Sequence, residues 1–91
     1  MITAIVFIQA DVSRITETAK QIADIDGVSE VYSVTGEIDL VAMVRVREVD
    51  AVAKVVADQL NKVEGVLSTQ TQIAFQTFSQ HDLESTFSIG L

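Results

Sequence analysis

The sequence repeats a local signature, and that repeat limits the folds open to it. Gln21-Ile22 leading to Asp26-Gly27-Val28 is echoed by Gln59-Leu60 leading to Glu64-Gly65-Val66, an offset of 38 positions (Gln21 to Gln59). In both copies a run with apolar residues every three or four positions ends at an acid-Gly-Val, and a strand-like run begins. A glycine just past a helix can take the left-handed conformation that stops it. The chain therefore divides into two β-α-β halves. Their concatenation, βαββαβ, is the split β-α-β arrangement of ferredoxin-like α+β folds, in which two helices cover one face of a four-stranded antiparallel sheet.

The elements follow from periodicity. Residues 2–9 (ITAIVFIQ) are β-branched and apolar on both faces, which predicts a strand covered on both sides. Val12, Ile15, Ala19, Ile22 and Ala23 recur at helical spacing, and Asp11 or Ser13 can cap the start. This predicts a helix over 13–25. A second strand is expected over 28–35 and a third over 38–47, joined tightly through Gly36 and Glu37 as an antiparallel hairpin. In the third, Leu40, Ala42, Val44 and Val46 share one face, while Val41, Met43 and Arg45 share the other. Val49, Val52, Ala53, Val56, Leu60 and Val63 predict a helix over 49–63. Residues 66–78 read as the fourth strand, with Leu67, Thr69, Thr71, Ile73 and Phe75 on one face. The domain thus occupies 1–78. Residues 79–91 form a tail that either frays, adds an edge strand or docks on a neighbour.

Two helices cover only one side of such a sheet. The other side keeps apolar groups from the first strand, with Val41 and Met43 and, depending on register, Leu67 or Ile73. A domain of 91 residues buries only about 60–65% of its unfolded surface and is marginal alone. It has no cysteine with which to add a disulfide. With 48% of its residues hydrophobic and no proline, little of it can be loop. A sheet-to-sheet dimer is the simple way to bury the remaining face.

Charge excludes several functions. The net charge is −7, with six Lys and Arg in all. Direct binding of nucleic acid needs a basic surface that displaces counterions from phosphate, and an anionic membrane surface makes the same demand. Neither partner is expected. No apolar run approaches the roughly 20 residues of a membrane span, and the first one lacks the basic flank and small-residue cleavage site of a secretion signal. The chain is read as cytoplasmic.

Chemistry-bearing residues are few. His81 is the only histidine, and its neighbours Ser79, Asp82 and Ser85 are read as a solvated tail, since catalytic triads are spatial and not sequential. One histidine and no cysteine give no metal site. No phosphate-binding, zinc-hydrolase or serine-hydrolase motif is present, so no enzyme and no cofactor are expected. What remains is Thr35-Gly36-Glu37-Ile38-Asp39. Gly36 can turn backbone N–H groups outward to hold a carboxylate, and Asp39 can hold an ammonium. Together they would grip a free amino acid by both ends. The alternative is a plain turn in which Asp39 accepts from turn N–H groups. Thr69 and Thr71 either face solvent or line a site shared between subunits.

The element order, with VYSVTGEIDLVAMVRV and GVLSTQTQIAF, resembles the effector-binding (RAM) domain of the Lrp/AsnC transcriptional regulators. The family's glycine followed by aspartate in the hairpin between the second and third strands is matched by Gly36 and Asp39, and its Thr-rich fourth strand by Thr69 and Thr71. The resemblance implies a dimer through the sheet faces, rings of eight or ten chains, and amino-acid sites between dimers. Its candidate ligand-binding residues here are Thr35, Gly36, Glu37, Asp39, Thr69 and Thr71. Family regulators carry an N-terminal helix-turn-helix domain, whereas this sequence starts at the first strand, so the resemblance implies a stand-alone effector module. The alternatives are a module that co-assembles with full-length Lrp/AsnC regulators, and a small enzyme on the related dimeric α+β barrel.

Overall fold

The computed structural model describes residues 1–80, and the tail features around His81 lie outside them. The order is β1 (Ile2–Ala10), a 3-10 turn (Val12–Arg14), α1 (Ile15–Ala23), β2 (Val28–Ser33), β3 (Leu40–Val46), α2 (Val49–Asp58), a second 3-10 turn (Leu60–Lys62) and β4 (Val66–Ile73). All pairings in the sheet are antiparallel, in the order β2-β3-β1-β4. This is the ferredoxin-like arrangement. β1 lies between β3 and β4 and so has both of its edges paired.

The core sits between sheet and helices. Ala4, Val6 and Ile8 of β1 and Leu40, Ala42 and Val44 of β3 point to the helices and are fully buried. Ile22 of α1, Val52, Val55 and Val56 of α2, and Leu60 close over them. Each large aliphatic side chain buried there contributes about 1.5–3 kcal/mol. α1 lies over β2 and β3, and α2 over β3. Gly65 is required where the second half closes: its φ is +100°, and a Cβ there would lie 2.2 Å from Thr18 Oγ1. Thr18 is itself buried and donates to the Glu64 carbonyl at 3.4 Å.

Several boundaries differ from the sequence expectation. The first helix was expected over 13–25 with Val12 on its apolar face. Asp11 does cap, accepting from Ser13 N–H at 3.0 Å, but it starts one 3-10 turn, which leaves Val12 exposed. The α-helix proper begins only at Ile15. The second helix was expected to run to 63. It breaks at Gln59, and the following 3-10 turn carries Leu60 into the core. β4 ends at Ile73 and not at 78, and Phe75 and Phe78 are exposed. Ser68 pairs with Gln9 and Val66 with Ala10, so Leu67 is the extra residue of a bulge and is exposed.

The face away from the helices carries Ile5 and Phe7 of β1, Val41 and Met43 of β3, and Tyr32 of β2, since Phe7 pairs with Val41, Ile5 with Met43 and Tyr32 with Val41. Ile5, Phe7, Val41 and Met43 are only half-buried there. Its rim is polar. Arg45 Nη1 donates to Glu30 Oε1 at 3.0 Å, and this pairing, with the Tyr32 hydroxyl beside it, holds the Glu30 carboxyl below its ordinary value of 4.5. The same carboxylate raises the Tyr32 phenol above 10.0.

Candidate functional site around the hairpin loop

Residues 34–39 connect β2 to β3. They form a six-residue loop, not the two-residue link expected through Gly36 and Glu37. Hydrogen bonding to β1 explains the extra length. The Asp39 N–H donates to the Ile8 carbonyl at 3.0 Å, and Asp39 Oδ2 accepts from the Ala10 N–H at 2.8 Å. Asp39 thus ties the loop to the end of the central strand, and Ile38 cannot enter the ladder. A single bond, Val34 N–H to the Asp39 carbonyl at 3.1 Å, closes the loop at its base.

Gly36 stands at the open side of this loop with φ +104°, and nothing lies within 4 Å of where its Cβ would be. The left-handed conformation costs an ordinary L-residue roughly 1–2 kcal/mol. The positive φ, and not crowding, is therefore what calls for glycine. Thr35, Gly36 and Glu37 are exposed and Asp39 is half-buried. Asp39 Oδ1 makes no hydrogen bond among the described residues.

Four of the six expected residues, Thr35, Gly36, Glu37 and Asp39, therefore share one loop. The other two do not join them within one chain. Thr69 and Thr71 pair with Ile8 and Val6, so they lie on the helix side of β4, with β1 between them and the loop. The Thr69 hydroxyl donates to Asn61 Oδ1 at 2.8 Å. Thr71 borders a groove beside α2.

A residue that sequence reasoning passed over does connect the two sides. Gln9 Nε2 donates to the Glu37 carbonyl at 3.4 Å, and Gln9 Oε1 accepts from the Ser68 hydroxyl at 2.8 Å. Its amide thus bridges the loop and β4 across the end of β1. The available signal was a polar residue closing an otherwise apolar strand. Among the described residues no three His, Asp or Glu side chains converge as metal ligands. No helix there is long and apolar enough to cross a membrane.

Residues 3–83 match the family model of the Lrp/AsnC ligand binding domain. The chain belongs to the Lrp/AsnC family. An uncharacterized HTH-type transcriptional regulator of Pyrococcus furiosus is 41% identical over 64 residues, which cover 70% of this chain and 43% of the regulator. TTHA0845 of Thermus thermophilus superposes with a TM-score of 0.83 at 41% identity, covering 88% of this chain and all of that one. The Neisseria meningitidis transcriptional regulator NMB0573, solved as an L-Met complex, has the same fold, with a TM-score of 0.77 at 18% identity over 87% of this chain and 53% of that one. The chain spans about half the length of the Lrp/AsnC regulators it matches. The Pyrococcus furiosus relative and LysM of Saccharolobus solfataricus, 33% identical over 85% of this chain, are both named as HTH-type transcriptional regulators.

Proposed function

We propose that this chain is an effector-binding and assembly module. It takes a free amino acid or a related small metabolite at the loop around Gly36 and Asp39, at a contact between subunits. One observation carries this: Asp39 is fixed by the Ala10 N–H through Oδ2, while Oδ1 makes no hydrogen bond among the described residues, in the same loop as a glycine at φ +104°. A carboxylate fixed in advance beside turned-out N–H groups suits a zwitterion. Ligand ammonium meets Asp39 Oδ1, and ligand carboxylate meets the backbone around Thr35, Gly36 and Glu37. Thr69 and Thr71, behind the sheet, contribute only from another subunit. The L-Met complex of the Neisseria regulator supports an amino acid as the ligand class.

The open sheet face supports the assembly half of the proposal. Ile5, Phe7, Val41 and Met43 form a contiguous apolar patch, and such patches usually mark an interaction surface. A second copy stacked sheet to sheet buries it. Dimers then join through their loops, and ligand shifts the assembly by its differential affinity for the two states.

Calorimetric titration of the twenty amino acids into wild type, Asp39→Asn and Asp39→Ala tests the site. We expect one or a few to bind wild type and neither variant. If none binds wild type, the ligand proposal is wrong. If all three proteins bind equally, Asp39 has no part in it.

A further inference from the structure

β4 ends the sheet on one side, and among the described residues no strand pairs with its outer margin. The Ala74 N–H donates to the Thr3 carbonyl. Ladder groups alternate along a strand, so the N–H and C=O groups of Thr69, Thr71 and Ile73 point outward, away from β1. Such a margin is a template for another strand, and proteins guard it with charged residues, proline or bulges. The margin at the other end of the sheet is guarded: β2 carries Glu30, and its register is irregular between Val28 and Glu30. β4, VLSTQTQI, has neither charge nor proline. Its bulge at Leu67 leaves the pairing from Ser68 onward regular.

We propose that this margin pairs with the same margin of a second copy, antiparallel, about a two-fold axis at Thr71. The sequence is self-complementary in that register. Thr71 faces the partner's Thr71, Thr69 faces the partner's Ile73, and Gln70 faces the partner's Gln72. Residues 69, 71 and 73 then face only one another, so every outward N–H and C=O among them finds a partner. Leu67 comes level with the partner's Phe75. These side chains are 70% and 99% exposed in the single chain, and pairing brings them together at both ends of the seam. Other registers lose this. A slip of one residue sets outward groups against inward ones, and a slip of two sets Phe75 opposite Gly65 or Thr69. Charge favours the same seam. Copies with a net charge of −7 repel, yet residues 66–79 carry no charged side chain. The apolar groove between α2 and β4, bordered by Val49, Ala53, Thr71 and Ile73, opens beside this margin, and the added strand closes it. An isologous contact of this kind uses up both margins and is complete with two copies. It is separate from the open sheet face and from the loop around Asp39, so it stands without the ligand. Together with sheet-to-sheet pairing it would give each chain two different self-contacts.

The chain has no cysteine, so single substitutions in the full chain report the register. Thr71→Cys lies on the axis, where facing Cα atoms come to about 5.5 Å, within the span of a disulfide. Thr69→Cys and Ile73→Cys each lie about 13 Å from their own counterpart, too far to bridge. Under mild oxidation Thr71→Cys should form interchain disulfides about tenfold faster than either control. Equal rates overturn the proposal. Amide hydrogen exchange of wild type, at about 10 μM and about 1 mM protein, gives a second readout. By mass action the free margin becomes up to about tenfold rarer at the higher concentration, so exchange at Thr69, Thr71 and Ile73 should slow by that factor. Thr71→Lys, which sets like charges opposite each other, should abolish the difference. Exchange at these amides that is the same at both concentrations, whether fast or slow, overturns the proposal: fast means an unpaired margin, and slow means one covered within the chain.

Discussion

Replacing Asp39 by alanine should destabilise the protein before any ligand is considered. Asp39 Oδ2 is the acceptor for the Ala10 N–H at 2.8 Å, and Ala10 is only 3% exposed, so water cannot readily take over. A hydrogen bond to a charged group contributes about 1.5–3 kcal/mol, and removing one partner leaves the buried donor unpaired. In a domain of this size each kcal/mol moves Tm by about 4–8 °C, so Asp39→Ala should melt roughly 10 °C or more below wild type. Asp39→Asn keeps a neutral acceptor of about half the strength and should lose only about 1 kcal/mol. Urea unfolding followed by far-ultraviolet circular dichroism measures both. Protomer concentration must be held fixed because assembly adds stability by mass action. If Asp39→Ala falls within about 0.5 kcal/mol of wild type, the range of an ordinary surface change, the carboxylate does not anchor the loop. The comparison also decides how a titration is interpreted: Asp39→Asn preserves the loop and removes the charge, so loss of binding in that variant reports on the ligand ammonium.

Four further outcomes are expected. Gly65→Ala should cost about 2–5 kcal/mol in urea unfolding, because a left-handed φ and a clash with buried Thr18 add together. Gly36→Ala, with open space around it, should cost only about 1–2 kcal/mol. On the proposed sheet-to-sheet pairing, wild type should sediment as a dimer or larger species at micromolar concentration and Met43→Asp, in the middle of the open face, as a monomer; identical sedimentation of the two would remove that pairing. Arg45 holds the Glu30 carboxyl below its ordinary 4.5. Its contribution to stability is therefore complete above 4.5 and is lost as pH falls through the lowered value. Glu30→Gln should flatten that acid limb in thermal melts and leave neutral pH almost unchanged.

Much of the architecture was legible in the sequence because the signals were redundant. The two acid-Gly-Val boundaries, the alternation in β3 and the doubly apolar β1 each point to one order of elements, and the buried set Ala4, Val6, Ile8, Leu40, Ala42 and Val44 follows from period two alone. The boundaries that failed depend on single hydrogen bonds or single dihedrals. Asp11 caps a 3-10 turn and not an α-helix, and Gln59, at φ −124°, ends α2 early. Neither leaves a trace in periodicity. The bulge at Leu67 inserts one unpaired residue between Val66 and Ser68, and a pattern of period two carries no sign of such an insertion. For the site, Gly36 and Asp39 stood out by type. Their tie to Ala10 did not, because it joins a side chain to a backbone group 29 positions away that any residue would supply. Gln9 was missed for a related reason: its role lies in what its two amide atoms reach, and local sequence is silent on that.

That glutamine has a mechanical consequence. Its main chain is fixed in the middle of the sheet, while its amide holds Glu37 on one side and Ser68 on the other. A displacement of the loop can therefore pass to the start of the outermost strand through a side-chain rotation, with no ladder bond broken. The stiff interior and the perimeter of this small protein are thus separable, and the two ends of the Gln9 amide couple one corner of that perimeter to the other over an unmoved interior.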